Sequence, residues 1–276
     1  MNGSRKQQPL LSKDVSNAKL LKSALLHGDE WETLILYMAP AEVAFGEMSD
    51  EEKQFLTQLG VEYNLCTAST KQCREDCLYH QGRARMFPEV NKARIRKAKQ
   101  FLLDTFEFLS QLHAEINKAK RLAAKKGKRL AIRLNGTTDI HWQSVVVAHP
   151  DVQFYDYTKT SRGMSFARGL LPANYHVTFS RSELNSAIAT RVLRAGGNVA
   201  VVVDKGVVVD FTDSRLIDGD LHDARFLDGR SADGRIVVLR AKGSLKGQGS
   251  ERGFCLNQVG WDKFLASASS TAATAA

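Results

Sequence analysis

The second half of the chain alternates short β-rich runs with helix-compatible segments, and this order constrains the fold most. Five such runs follow one another after position 129: LAIRLNG, VQFYDYT, NYHVTFS, NVAVVVD and GRIVVLRAKG. The segment SRSELNSAIATRVLRAGG, between the third and fourth runs, predicts a helix that ends in glycine. Strands that alternate with helices form βαβ units with parallel strands. We therefore predict an α/β fold with a mostly parallel sheet, arranged as a partial TIM-like barrel.

The first half of the chain adds one more strand and most of the helical sequence. The apolar run WETLILYMAP stops at a proline and predicts a strand. Ser49 is followed by Glu52 three residues later, the pattern of a capping box at the start of a short helix. Apolar residues recur every three or four positions across 89–126, with Pro88 before them and Gly127 after them. This periodicity predicts one long amphipathic helix, in which a kink is an open alternative.

The chain of 276 residues contains no Gly/Ser linker in its middle, so we predict a single domain over residues 23–265. Polar composition predicts flexible tails at 1–22 and 266–276. No apolar run is long enough for a membrane span, and the N-terminal sequence lacks an apolar signal region. The four cysteines are too unevenly spaced for a disulfide framework, so we expect a cytoplasmic location and no membrane partner.

The basic charge of the chain allows two interpretations. The formal net charge is +9, and much of the excess lies within the predicted helix 89–126. A basic helix can bind the phosphates of nucleic acid, and nucleic acid is one candidate partner. Charge runs on helices are more often solvated faces, and this second interpretation is the one we favour.

Three of the four cysteines lie in one polar segment, NLCTASTKQCREDCLYHQGR, within a loop at residues 64–83. Buried structural cysteines usually occur singly on apolar faces, so Cys66, Cys73 and Cys77 indicate thiolate ligation of a soft metal. They could bind three irons of a four-iron cluster. A zinc site would need a fourth ligand, for which His80 and Cys255 are the candidates. No metal at all is the third alternative.

Four consecutive predicted strands end in polar clusters, at residues 135–139, 156–159, 180–183 and 204–205. Chemistry in parallel α/β folds gathers at the carboxyl ends of strands, so these clusters predict the rim of a site. Within the strands, alternation places Arg133 and Asn135 on the polar face of one strand and His176 and Ser180 on that of another. If the apolar faces contact the outer helices, these polar side chains face a pocket inside the barrel. The alternative is that Arg133 and His176 are hydrogen-bonded polar groups inside the domain without a role in a site.

The candidate catalytic residues come from these strands. They are Asp139, Asp156, Lys159 and His176. Hydrolysis at a bound metal, using Asp139, Asp156 and His176, is one mechanism that this set would allow.

A second polar cluster, DGDLHDARFLD, contains Asp218, Asp220, His222, Asp223 and Asp228. Carboxylates and an imidazole could bind a hard metal ion. The spacing does not match an EF-hand, which would end in a glutamate. We therefore predict a solvated loop here.

The order of strand, cysteine loop, helix and strand with a glycine-containing turn resembles the start of a radical S-adenosylmethionine barrel. In that superfamily, three loop cysteines bind a 4Fe–4S cluster and the turn after the second strand holds the amine of S-adenosylmethionine. The usual spacing there is C-x3-C-x2-C, whereas this loop has C-x6-C-x3-C. The residues that would contact S-adenosylmethionine by this resemblance are Asn135, Gly136, Thr137, Asp139 and Ser180.

A second resemblance covers residues 65–243. The segments CREDCLYHQGR, RLAIRLNGTTDIHW, DVQFYDYTKTSR, LPANYHVTFSRSE and DGDLHDARFLDGRSADGRIVVLRAKG resemble, in this order, the phage gene product 88 family. That resemblance implies a phage or mobile-element origin and a barrel similar to radical S-adenosylmethionine enzymes. We therefore expect an iron–sulfur enzyme of unknown substrate. The alternative is a nucleic-acid-binding protein with a structural zinc or no metal.

Overall fold

The computed structural model describes residues 8–13, 29–60, 64–80 and 87–269. These residues form one sheet of nine strands with helices packed against it. The strands are β1 (Leu11–Ser12), β2 (Trp31–Leu36), β3 (Arg129–Arg133), β4 (Gln153–Thr158), β5 (Tyr175–Ser180), β6 (Val199–Val203), β7 (Leu216–Asp218), β8 (Ile236–Arg240) and β9 (Cys255–Leu256).

The helices fill most of the connections between these strands. They are α1 (Ala41–Gly46), α2 (Asp50–Gln58), α3 (Lys71–Glu75), α4 (Pro88–Leu103), α5 (Thr105–Lys125), α6 (Gln143–Ala148), α7 (Arg162–Ala167), α8 (Ser186–Arg194) and α9 (Gln258–Ser269). Short 3-10 helices occur at Leu78–His80, Arg225–Leu227 and Gly243–Leu245.

The sheet has the strand order β1-β2-β3-β4-β5-β6-β8-β7, and β9 also pairs with the end of β6. Every pair is parallel except β1 with β2, which is antiparallel. The predicted mostly parallel α/β fold is therefore confirmed. From β2 to β6 each strand lies beside the next one along the chain, as in a barrel. In the described residues β1 and β7 remain the two edges, so the sheet is open and the partial barrel is not confirmed.

The helices pack on one face of the sheet, where the apolar strand residues form the core. Phe108 and Leu112 of α5 pack with Ile132 of β3, Phe154 of β4 and Val177 of β5 in one buried cluster. A second cluster joins α8 and α9 to the apolar side chains of β6 and β8. The prediction that the apolar faces of the strands contact the outer helices is correct. Burial of each large apolar side chain contributes about 1.5–3 kcal/mol to stability.

The opposite face of the sheet is covered by the connection between β7 and β8. Phe226 packs on Trp31 of β2 and on Tyr155 of β4, with ring centroids 4.7 and 5.3 Å apart. Arg225 beside it is fully buried, and Asp228, 3.3 Å from the Arg225 guanidinium, is only 6% exposed. The prediction of a solvated loop for DGDLHDARFLD is therefore wrong, because this segment is folded against the polar face of the sheet.

The predicted single helix over 89–126 is two helices. The chain leaves helical geometry at Asp104 (φ −146°, ψ 77°), between α4 and α5. The Asp104 carboxylate accepts a hydrogen bond from the backbone N–H of Glu107 at 2.9 Å and so caps the new helix. An apolar period that continues across a short break cannot reveal that break. The strand at WETLILYMAP and the Ser49–Glu52 capping box are both confirmed.

Parts of the predicted tails have a fixed place in the fold. β1 pairs with β2 through Leu11 and Leu36, and the Glu115 carboxylate of α5 accepts a hydrogen bond from the backbone N–H of Leu11 at 2.8 Å. Helix α9 extends to Ser269, into the predicted C-terminal tail. Residues 1–7, 14–22 and 270–276 of those tails lie outside the described residues. No helix among the described residues is long and apolar enough to cross a membrane.

Candidate functional site

A cavity of about 370 Å³ opens at the carboxyl ends of the parallel strands. Its walls come from the cysteine loop, the turn after β3, the ends of β4, β5 and β8, and the loop at residues 241–254, here called the C-terminal loop. The predicted site residues that line it are Cys66, Cys73, Cys77, Asn135, Gly136, Thr137, Asp139, Lys159 and Ser180. The fold therefore brings the cysteines and the polar strand ends to one place.

The turn after β3 is shaped by the Asn135 side chain, which is only 2% exposed. Its Oδ1 accepts hydrogen bonds from the Thr138 hydroxyl at 2.9 Å, the Ile140 backbone N–H at 2.8 Å and the Trp142 indole N–H at 3.1 Å. Its Nδ2 donates to the Asp156 carboxylate at 3.1 Å and to the Ile140 carbonyl at 3.0 Å. One side chain thus fixes residues 135–142.

The same turn is joined closely to the end of β2. The Gly136 N–H donates to the Leu36 carbonyl at 3.0 Å. A Cβ at this position would lie 2.6 Å from the Tyr37 ring and 2.7 Å from the Leu36 carbonyl oxygen, so only glycine fits. The Thr137 hydroxyl donates to the Met38 carbonyl at 2.6 Å. These contacts bring the turn against the chain that leads into the cysteine loop.

The cysteine helix α3 is held by residues that are distant in sequence. The Glu183 carboxylate, after β5, accepts hydrogen bonds from the Thr70 hydroxyl at 2.8 Å and from the Gln72 backbone N–H at 3.2 Å. The Gln72 side-chain oxygen in turn accepts from the Phe254 N–H of the C-terminal loop at 2.6 Å. The positions of Cys73 and Cys77 are therefore set from two sides of the cavity.

The cysteine side chains are partly buried. Burial raises the pKa of Cys66 to about 12, and burial also raises the pKa of Cys77. The positive charge of Lys159 opposes the shift at both thiols. At neutral pH these two groups are therefore thiols, and a bound metal cation would be needed to make them thiolates.

The candidate fourth ligands lie elsewhere. His80 is exposed and packs on the Tyr79 ring, whereas Cys255 is buried in β9, and neither lines the cavity. Across the described ranges, no group of three or more His, Cys, Asp or Glu side chains is arranged to hold one metal ion.

Asp139 lines the cavity but is fully engaged by its neighbours. It accepts hydrogen bonds from the Thr158 hydroxyl and from the Lys159 backbone N–H, both at 2.8 Å, and it forms an ion pair with Arg162. Its carboxylate therefore holds the end of β4 against the turn after β3.

Asp156 and His176 do not line the cavity. Asp156 points to the helix side of β4, where it accepts from the Asn135 backbone N–H at 2.7 Å and the Tyr175 hydroxyl at 2.9 Å. Burial raises its pKa to about 6. His176 is the second residue of β5, so it lies near the amino end of that strand, and the cavity opens at the carboxyl end. Burial, with the nearby Arg225 charge, lowers its pKa to about 3, so this imidazole is neutral at pH 7.

The structure adds Asp223, a cavity residue that the sequence pattern did not identify as part of this site. Arg133 of β3 pairs with Asp223 at 3.3 Å and lies over the Tyr157 ring, 4.8 Å from its centroid. The expectation that Arg133 faces the interior is correct. Its partner could not be predicted, because Asp223 comes from a connection 90 residues away that looks solvated in the sequence.

The basic side chains of α4 and α5 lie away from this cavity, and several of them form ion pairs within the chain. Lys99 pairs with Glu52 at 2.8 Å, and Lys120 pairs with Asp151 at 2.6 Å. Lys97 is buried, and burial lowers its pKa to about 8. These contacts agree with a solvated and internally paired helix surface.

Comparisons with known proteins give one result. No curated protein and no solved structure matches the chain. A family model described as gene product 88 matches residues 9–258 of the 276, which includes every segment that lines the cavity. The chain therefore belongs to the gene product 88 family.

Proposed function

We propose that the protein is an iron–sulfur enzyme that uses S-adenosylmethionine. In this proposal Cys66, Cys73 and Cys77 bind a 4Fe–4S cluster, and the turn at residues 135–139 contacts S-adenosylmethionine. The observation that carries the proposal is that the three thiols and this turn line one cavity at the carboxyl ends of the strands. The substrate would bind in the rest of the same cavity.

The chemistry of the donor set is compatible with a zinc ion or an iron–sulfur cluster, and the cluster is the group that we propose. Thiolates are soft ligands that favour zinc or iron–sulfur clusters. A structural zinc ion takes four ligands at one point, and in the described residues no three candidate ligands converge in that way. In a four-iron cluster each cysteine binds a different iron, so the sulfur atoms lie further apart. Three cysteines leave one iron open to a small molecule.

The bound cluster would supply an electron for reductive chemistry on S-adenosylmethionine. The residues of the chain would position the reactants and exclude water. Asn135 fixes the turn, and Gly136 allows the backbone to approach β2 closely. Glu183 holds α3 in place. Lys159 places a positive charge near the thiols, which would favour their ionised form when metal binds.

The experiment is anaerobic purification followed by iron and sulfide analysis of the unaltered protein and of four cysteine variants. We expect about four irons and four sulfides per chain, as in a 4Fe–4S cluster. Cys66→Ala, Cys73→Ala and Cys77→Ala should each lose most of this iron. Cys255→Ala is the matched control, because it also removes one free thiol but Cys255 does not line the cavity. This variant should retain the iron. Unaltered protein without iron and sulfide after cluster reconstitution would refute the proposal.

Nucleic-acid binding through residues 89–126 is the second candidate, and the observation that favours it is the net charge of +9. Binding to phosphates releases counterions, so affinity would fall steeply with salt. A titration of the protein into duplex DNA and single-stranded RNA at low and physiological salt separates the two candidates. Salt-sensitive binding by iron-free protein would favour the second one.

A further inference from the structure

Lys159 brings a positive charge to the cavity wall between the cysteine loop and the C-terminal loop. Its ammonium donates to the Ser180 hydroxyl at 3.1 Å and lies 5.3 Å from the centroid of the Phe254 ring. Its own backbone N–H is held by the Asp139 carboxylate, which fixes the residue at the end of β4. The side chain is half-buried, so water reaches it only in part.

The carboxylates that line the cavity are engaged with other groups. These pairs are Asp139 with Arg162, Asp223 with Arg133, Asp220 with Lys242, and Asp76 with the Ser244 hydroxyl. In the part of the chain that the structure describes, no carboxylate forms an ion pair with the Lys159 ammonium. A half-buried cation without a counter-ion is unfavourable, and such groups occur disproportionately at binding sites.

The remaining polar neighbour is the Ser180 hydroxyl, which carries no charge. An anionic ligand in the cavity could therefore form an ion pair with the Lys159 ammonium.

Apolar side chains line part of the same cavity. The centroid of the Phe254 ring lies 5.3 Å from the Lys159 ammonium, and Val202 of β6, Leu239 of β8 and Leu245 of the C-terminal loop are further lining residues. A volume of about 370 Å³ is in the range of pockets that hold small organic molecules. Apolar lining and the Lys159 cation together match a molecule with an apolar body and one anionic end. Arg240 also lines the cavity without an ion pair among the described residues, but its guanidinium donates to the Asp204 and Val207 carbonyls.

We propose that the Lys159 ammonium, together with the Ser180 hydroxyl, binds the carboxylate or phosphate group of the substrate, and that the apolar part of the substrate lies against Phe254 and Leu239. This inference names the substrate class of the site proposed above and rests on that proposal. Lys159 is then a binding residue. Its charge would select anionic molecules and hold them beside the cysteine loop.

The test uses three probes with one apolar body: naphthoate, naphthyl phosphate and the neutral naphthalenemethanol. Calorimetric titration of the full-length, anaerobically purified protein should show about tenfold or more preference for at least one anionic probe over the neutral one. The stronger of the two anions tells whether the subsite takes a carboxylate or a phosphate. Equal binding of all three probes by the unaltered protein would overturn the inference without any variant.

Lys159→Met should remove that preference and leave affinity for the neutral probe unchanged, whereas Lys159→Arg should retain it. Lys92→Met is the matched control, because it also removes one positive charge but lies on exposed α4, paired with Glu89. An equal loss in Lys92→Met, or loss of the neutral probe in Lys159→Met, would also overturn the inference.

Iron is measured in the same samples, so a failure of the cluster proposal can be distinguished from a failure of the anion-binding proposal. Iron-free protein with a Lys159-dependent anion preference contradicts only the cluster. Iron-loaded protein without that preference contradicts only the anion subsite.

Discussion

Replacement of Asn135 by alanine should unfold the turn that carries residues 136–139 into the cavity. The substitution removes five hydrogen bonds made by one buried side chain. The Thr138 hydroxyl can rotate to another acceptor, but the Trp142 indole N–H and the Ile140 backbone N–H have fixed directions. A buried donor left without a partner costs about 1–3 kcal/mol, so two of them should cost about 4 kcal/mol. For a chain of this size that corresponds to about 10 °C in melting temperature.

The assay is urea unfolding followed by tryptophan fluorescence, with binding of the anionic probe measured on the folded protein. Asn174→Ala is the matched control. The Asn174 side chain also makes several hydrogen bonds, to the carbonyls of Val146, His149 and Val152, but it lies at the amino-terminal edge of the sheet. Both variants should be less stable, and only Asn135→Ala should lose the cavity ligand. A stability loss below about 1 kcal/mol for Asn135→Ala would refute the reasoning.

Asn135→Asp tests the same network through pH. The Nδ2 group, 3.1 Å from the Asp156 carboxylate, becomes a second carboxylate oxygen. Two adjacent carboxylates cannot both ionise easily, so the pair would hold a proton at higher pH than Asp156 alone, whose pKa is already about 6. A carboxyl pKa that is raised in the folded state makes the protein less stable above that pKa. Relative to the unaltered protein, the variant should therefore gain stability as the pH is lowered from about 7 to about 5.

Three further substitutions test other parts of the structure. Gly136→Ala should cost about 1–3 kcal/mol because its Cβ would overlap with atoms of β2, whereas Gly206→Ala, where no atom lies within 4 Å of the new Cβ, should be nearly neutral by thermal unfolding. Glu183→Ala should free α3, so its amides should exchange hydrogen about tenfold faster by mass spectrometry, while protection of β5 remains. His176 has a pKa of about 3 in the fold and 6.5 as its ordinary value, so the unfolded chain binds the proton more tightly and stability falls as the pH drops from 6.5 towards 3. His176→Gln should reduce that fall in urea titrations at pH 7 and pH 5, and an unchanged fall would contradict the burial of a neutral imidazole.

Much of the sheet could be predicted because its information is local. The short β-rich runs and the flanking turns of β3, β4, β5, β6 and β8 are each present in a short segment of sequence. The same logic predicts that the polar residues after these strands lie close together, because the carboxyl ends of parallel strands lie on the same side of a sheet. This reasoning predicts that Asn135, Lys159 and Ser180 lie at one rim of the sheet, and all three line the cavity in the structure.

The features that could not be predicted depend on distant partners. Asp223 looks like one acidic residue of a solvated loop until Arg133 is placed beneath it. Asp104 ends α4 within an uninterrupted apolar period, because a single capping carboxylate is enough to restart a helix. His176 has the alternation of a pocket residue, but its position at the start of β5 places it far from the carboxyl edge. Periodicity predicts the face of a strand on which a side chain lies. It does not predict whether that side chain is close enough to the carboxyl end of the strand to line the cavity.

The contacts that hold α3 determine when the cavity can form during synthesis of the chain. The hydrogen bond from Thr70 to Glu183 joins residues 113 positions apart, and the one from Phe254 to Gln72 joins residues 182 positions apart. The neighbouring pairs from β2 to β6, by contrast, follow the order of the chain. The sheet can therefore grow as the ribosome delivers each strand, but the cysteine helix gains its last support only when the C-terminal loop emerges. Premature termination before residue 254 would leave a nearly complete sheet with an unfinished cavity, so the supported form of α3 would be restricted to chains that extend past this residue.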